Sequence, residues 1–182
     1  MLRTIDLRGQ TLSRAALLSL VPRAAVDTAA ATLQVRPLVE AVRDHGEEAL
    51  REQARDFDRV QDHALRVPAE EIAASLVSCP PELRAALEAL IARLREASAA
   101  QVPAERVTTF GDGARITQRW HPVSRVGLYA PGGKAAYPSS VLMNAVPAQA
   151  AGVKGLALAS PAQLDNRGRP HESVLWAAAL VG

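Results

Sequence analysis

The residues whose types and spacing best suit them to chemistry lie in one stretch, VSRVGLYAPGGKAAYPSSVLMNAVPAQAAGV, from Val123 to Val153. A short apolar run (Val126, Leu128, Ala130) ends at Pro131-Gly132-Gly133, and a helical pattern starts after Pro138. Glycines there let a second group approach the backbone closely. The turn can cradle a phosphate or a carboxylate with backbone N–H groups beside a helix N-terminus, or it can be a purely structural turn; spacing alone leaves both readings open. It is not a phosphate-binding loop of the G-x-x-x-x-G-K-[ST] kind, because Leu128 and Ala135 stand where that motif needs glycine and a hydroxyl. Tyr129 and Tyr137 flank the glycines, and a ring at a strand's carboxyl end can stack on a nucleotide base or pack over the sheet edge. Lys134 reads either as a phosphate contact or as an exposed turn residue.

Other chemistries find little support. His45, His63, His121 and His171 are scattered over separate elements, without the i, i+4 pairing that zinc sites on helices use. Asp56 and Asp58 sit at a helix end and read as a solvated terminus rather than an acid/base pair. Cys79 is the single cysteine, which excludes an internal disulfide and a thiolate cluster. No G-x-S-x-G elbow occurs, and Ser139-Ser140 reads as a helix cap.

The elements that must position this stretch follow from periodicity. A strand through Ala130, a helix after Ser139-Ser140, and a second apolar run from Gly155 to Ala159 make a βαβ unit, whose ligands gather at the strands' carboxyl ends. Upstream, a strand-like start and a small helix over Ala15–Val21 precede a helical pattern from Val26 to His45. That pattern carries the stripe Leu33, Val35, Leu38, Val39 and Val42, with Pro37 as a kink or a fresh start and Gly46 as C-cap. A helix over Glu47–Phe57 offers Ala49, Leu50, Ala54 and Phe57 to a core. A short strand is expected over Ala64–Val67, then a helix opened by Pro68. Pro80-Pro81 starts the longest helix, to about Gln101, with Leu83, Ala86, Leu87, Leu90, Ile91 and Leu94 on its apolar face. Alternation around Gly111-Asp112-Gly113 predicts a β-hairpin. A loop over Pro161–Pro170 leads to a last helix, Glu172–Leu180, whose apolar side is expected against the sheet.

The fold class is therefore α/β: a mostly helical region over 1–101, a hairpin-like connection over 102–122, and the start of a Rossmann-like parallel-sheet domain over 123–182. Two strands and two helices do not complete such a domain, so the chain reads as cut off inside it, with apolar surface left exposed and a tendency to associate. Aromatic residues make up only 3% of the 182 residues, so the core must be built from Ala, Leu and Val. A net charge of +2, with arginines interspersed among acids, argues against a nucleic-acid partner. No run is long enough for a membrane span, the N-terminus lacks the features of a signal peptide, and a cytoplasmic location is expected.

Three segments in order, VRPLVEAVRDHGEEALREQARDFDRV, LRVPAEEIAAS and HPVSRVGLYAPGGKAAYPSSVLMNAVPAQAAGVKGLALASP, resemble histidinol dehydrogenase, and the resemblance runs from about Ala30 to Gly182. The PGG…YPSSVLM string is its specific part. The resemblance implies an NAD-dependent, zinc-containing homodimer that oxidises L-histidinol through the aldehyde to L-histidine in histidine biosynthesis. It also implies that Tyr129 contacts NAD. The family's zinc ligands, its Glu-His acid/base pair and its other NAD contacts fall beyond Gly182, so no catalytic or metal residue carries over and the 182-residue chain alone is expected to be inactive. Leu94-Arg95-Glu96-Ala97-Ser98 departs from the aromatic-His pair expected there. The alternatives are a non-catalytic nucleotide-binding or interaction module of the same fold and a relative of the aldehyde dehydrogenases.

Overall fold

The computed structural model describes residues 4–20, 28–61, 64–133 and 135–182. The backbone divides into two compact units, Met1–Asp44 and His45–Gly182. The first carries helix α1 (Arg14–Leu20) and nearly all of α2 (Thr28–His45). Helix α2 runs unbroken through Pro37, so the proline neither stops it nor starts a new helix. Gly46 follows with φ of 58° and ψ of -125°, a positive-φ backbone that suits glycine but is not the left-handed helical cap expected there. The apolar stripe of α2 does not behave as one buried face: Leu33, Val35 and Val39 are exposed, while Leu38 and Val42 are half-buried.

The second unit holds α3 (Glu47–Asp58), α4 (Ala69–Ser75) continued by a 3-10 turn (Leu76–Ser78), and α5 (Pro81–Ala99). The hairpin β1 (Arg106–Thr109) and β2 (Arg115–Gln118) follows, then β3 (Arg125–Tyr129), α6 (Pro138–Ala150), β4 (Gly155–Ala159) and α7 (Glu172–Val181). This is the α/β arrangement expected, helices first and a parallel βαβ unit with a further helix after them. Strands β1 and β2 pair antiparallel and β3 and β4 pair parallel, in two separate two-stranded sheets.

Several local expectations fail for tertiary or stereochemical reasons. No strand forms over 64–67; the chain bends there instead. Ser139 and Ser140 do not cap α6. Proline fixes φ near the helical value and lacks an N–H, so Pro138 takes the first helical position and draws both serines inside the first turn. In α3, Ala49 and Ala54 are buried as expected, but Leu50 is 40% and Phe57 64% exposed. Helix α7 packs on α4, α5 and α6 rather than on the sheet. It buries Val174, Trp176 and Ala177 there.

The core lies where α5, α6 and α7 meet beneath β3 and β4. It joins Leu87 and Ile91 of α5, Val141, Leu142 and Val146 of α6, Val174 and Ala177 of α7, and Ala130 just past β3. Leu83, Leu90, Leu94 and Leu158 pack around them. Along β3 exposure alternates, with Val126 and Leu128 half-buried and Arg125, Gly127 and Tyr129 exposed, so the strand has one covered and one open face. Polar ties reinforce the packing. The Gln149 side chain donates to the Val181 carbonyl at 2.8 Å, and the indole N–H of the buried Trp176 donates to Ser78 Oγ at 3.3 Å. Nδ1 of His171 accepts from the Ser173 amide at 3.2 Å and so caps α7.

Two stability predictions follow. Leu142 is fully buried, and Leu142→Ala should cost about 2–5 kcal/mol in urea unfolding; a loss below that range would show that α6 is not the packed centre. Asn166-Arg167-Gly168-Arg169 closes a turn with the Arg169 amide 2.8 Å from the Asn166 carbonyl. Positive φ at both Arg167 (52°) and Gly168 (73°) is the mirror-image type I turn. Arginine is poorly suited to left-handed backbone, so Arg167→Asn should raise stability by about 0.5–1 kcal/mol, read as a higher thermal midpoint.

Candidate functional site

The carboxyl ends of β3 and β4 lie level with one another. Their register runs from Arg125 opposite Gly155 to Tyr129 opposite Ala159, and the Ala130 amide extends it by donating to the Ala159 carbonyl at 2.9 Å. The two chains therefore leave the sheet side by side, one into Pro131-Gly132-Gly133 and the other into Ser160-Pro161. Helix α6 begins five residues after the glycines and packs under both strands.

At this edge the glycine turn is pressed against the second strand's exit. A Cβ built on Gly132 would lie 2.9 Å from Ser160 Oγ and 3.4 Å from Pro161 Cδ, so the position excludes any side chain unless Ser160 moves. The turn is held by Gln163, whose amide nitrogen donates to the carbonyls of Gly132 at 3.0 Å, Ala162 at 3.2 Å and Pro161 at 3.3 Å. One side chain from the loop after β4 thus fixes the loop after β3. Neither Ser160 nor Gln163 stands out by sequence pattern. The available signal was position alone: a hydroxyl directly after the last strand residue, and an amide three residues on.

Tyr129 closes β3 and is 60% exposed, on the strand's open face. Tyr137 precedes the first residue of α6 and is 49% exposed. Both rings are therefore free to meet a flat partner. Lys134 and His63 lie outside the described residues.

The sequence's other candidates do not join this site. Asp56 and Asp58 stay at the end of α3 as exposed or half-exposed groups. His171 is engaged in capping α7. Cys79 is buried beside its proline turn. Among the described residues no three His, Cys, Asp or Glu side chains come together to hold a metal ion, so these residues do not fit zinc. Asp6 is held below its ordinary carboxylate range by the hydrogen bond from Arg8, a local exposed pair in the first unit.

A second polar surface forms where α4 meets the loop before α7, lined by Glu71, Ser75, Ser78, Asp165, Arg167 and Arg169. Arg169 donates to both carboxylate oxygens of Glu71 at 2.8 Å. The pair is partly exposed and is worth at most about 1 kcal/mol; its role is to moor the loop that carries Gln163.

The close approach at Gly132 has a measurable consequence. Gly132→Ala should destabilise the chain by about 1 kcal/mol, the low end for overpacking, because the obstructing Ser160 hydroxyl can rotate aside. In a Ser160→Ala background much of that cost should vanish, because the nearest obstructing atom is gone. A double-mutant cycle in urea reads the coupling; equal costs in both backgrounds would show that the two residues do not meet.

The comparisons with known proteins agree with this geometry. A family model described as histidinol dehydrogenase matches residues 21–182. The histidinol dehydrogenase of Bifidobacterium longum is 52% identical over 182 residues, covering 100% of this chain and 39% of that protein. That of Leifsonia xyli is 54% identical over 181 residues, covering 100% of this chain and 42% of that protein. The crystal structure of histidinol dehydrogenase from Elizabethkingia anophelis superposes with a TM-score of 0.77 at 26% identity, over 89% of this chain and 36% of that one. The chain thus spans some 39% to 42% of the length of these curated relatives. By the match over most of its length, the chain belongs to the histidinol dehydrogenase family.

Proposed function

We propose that this chain supplies one wall of the NAD site of a histidinol dehydrogenase, an oxidoreductase taking L-histidinol through the aldehyde to L-histidine in histidine biosynthesis. The observation that carries this reading is the pairing of the exposed Tyr129 ring with the close-approach glycine Gly132 at the level ends of two parallel strands. In open α/β sheets that edge is where dinucleotides lie. The residues 123–182 act as the dinucleotide-binding part, and the helical residues before them support it.

NAD, when bound, supplies the hydride acceptor. What the chain contributes is binding and orientation. Tyr129 offers its ring to a base or sugar face, and Gly132, itself buried, lets the turn sit tight against Ser160 and so keeps the strand ends level beneath the ligand. Gln163 fixes the turn that presents that backbone. The acid/base groups and the zinc ligands belong to the remaining length of the family's chain, and the working enzyme is a cytoplasmic homodimer. The length covered in the relatives supports that division. No helix among those residues is long and apolar enough to cross a membrane.

Titration of the purified chain with NAD⁺ by calorimetry tests the reading. Saturable binding is expected, weakened about tenfold by Tyr129→Ala, since loss of an aromatic stacking contact costs about 1–3 kcal/mol. Tyr129→Phe should keep most of the affinity. Mixed with L-histidinol, NAD⁺ and zinc, the chain alone should form no NADH. Turnover by it would refute the assignment of the chemistry to the rest of the family's length, and an unchanged affinity in Tyr129→Ala would remove Tyr129 from the site.

A further inference from the structure

Among the described residues Ser160 Oγ is the one side-chain nitrogen or oxygen that is buried without a hydrogen-bond partner. Buried polar groups are nearly always paired, because an unpaired one has given up water for nothing. The exception here falls at a telling place. Ser160 is the first residue after β4, and its Oγ lies directly against the glycine turn that follows β3. The rest of this edge is well satisfied: Ala130 continues the ladder and the Gln163 amide serves three carbonyls. The orphan is therefore local to one hydroxyl rather than a sign of a loose loop.

Topology says what lies beyond that hydroxyl, which itself is turned in against Gly132. In dinucleotide-binding βαβ units the glycine turn follows the first strand, and the residue that hydrogen-bonds the ribose stands at the end of the second, parallel neighbour. Strands β3 and β4 are such a pair, and Ser160 occupies the second position. An acid is usual there; Ser160 instead offers a neutral group that can both donate and accept. The residue as a whole is only half-buried, so rotation about its χ1 bond would carry Oγ toward the strand ends while the turn stays in place.

Resting on the reading of this edge as an NAD site, we propose that Ser160 is a cofactor-contacting residue whose hydroxyl hydrogen-bonds a ribose hydroxyl of the bound nucleotide. Ligand binding then satisfies a group that the folded chain alone leaves unpaired. Removing the hydroxyl should accordingly act in opposite directions on stability and on binding. A serine kept for the fold alone would lose stability on truncation and leave affinity untouched.

The test is Ser160→Ala in the 182-residue chain, with NAD⁺ as the probe. Calorimetry should show about three- to tenfold weaker binding than in the parent chain, while the thermal midpoint without ligand stays the same or rises. Affinity equal to the parent's would overturn the inference and leave the NAD site standing. A fall in midpoint with unchanged affinity would likewise overturn it, by making Ser160 a structural residue. Absence of saturable NAD⁺ binding in the parent chain would overturn both, which separates the failure of the site from the failure of the residue.

Discussion

Everything at the candidate site depends on the burial of helix α6 (Pro138–Ala150) between a sheet and two other helices. Its Val141, Leu142 and Val146 are at most 1% exposed, and they meet α5 on one side and α7 on another. A helix buried on several faces has little freedom to slide or roll, because each shift opens a void on one side and a clash on another. As α6 is the crossover between β3 and β4, fixing it fixes the parallel register of the two strands. That register brings Gly132 and Ser160 together. The chain's shortage of aromatic residues has its counterpart here: aliphatic side chains fill the cluster between the helices and the sheet, and the one buried tryptophan, Trp176, lies outside that cluster.

A second layer of control is polar and lies in the loop between β4 and α7. The loop is pinned to α4 by the Arg169–Glu71 pair, folded on itself by the turn at Arg167-Gly168, and ended by the His171 cap. Each tie is modest and partly solvated, so none stabilises the fold much alone. Together they hold Gln163 where it can reach across to the Gly132 carbonyl. The apolar core sets the height of the strand ends, and the polar loop sets the shape of the turn above them.

Local features of this architecture were legible in the sequence, and tertiary ones were not. Proline and glycine punctuation placed the start of α5 and the end of α2, because those residues act through their own backbone geometry, whereas the serines read as the cap of α6 lie inside its first turn. The βαβ unit and the hairpin around Gly111-Asp112-Gly113 were read for the same reason. What failed were questions of partnership. Phe57 looks like a core residue by spacing yet is exposed, since periodicity says which residues share a face and not whether another element covers it. The side of α7 expected against the sheet packs on helices instead. A strand over 64–67 was suggested by composition, but no neighbouring strand takes up its hydrogen bonds, and an unpaired four-residue strand has no reason to form.

The site itself divides along the same line. Tyr129 could be named as a candidate beforehand, as an aromatic residue ending an apolar run beside glycines, and the structure leaves its ring exposed. Ser160 and Gln163 were not, because their significance is relational: one is defined by what it fails to bond, the other by a reach of 31 residues along the chain to the Gly132 carbonyl. This difference follows from how such a site is built. Its exposed ring must be ready to meet a ligand, so it can be read from type and position. The backbone cradle must be rigid before the ligand arrives, or ordering it would consume the binding energy. Rigidity of that kind comes from contacts between distant parts of the chain. The residues that prepare the turn are thus the ones a single sequence hides, and the packing of α6 is what makes their meeting reproducible.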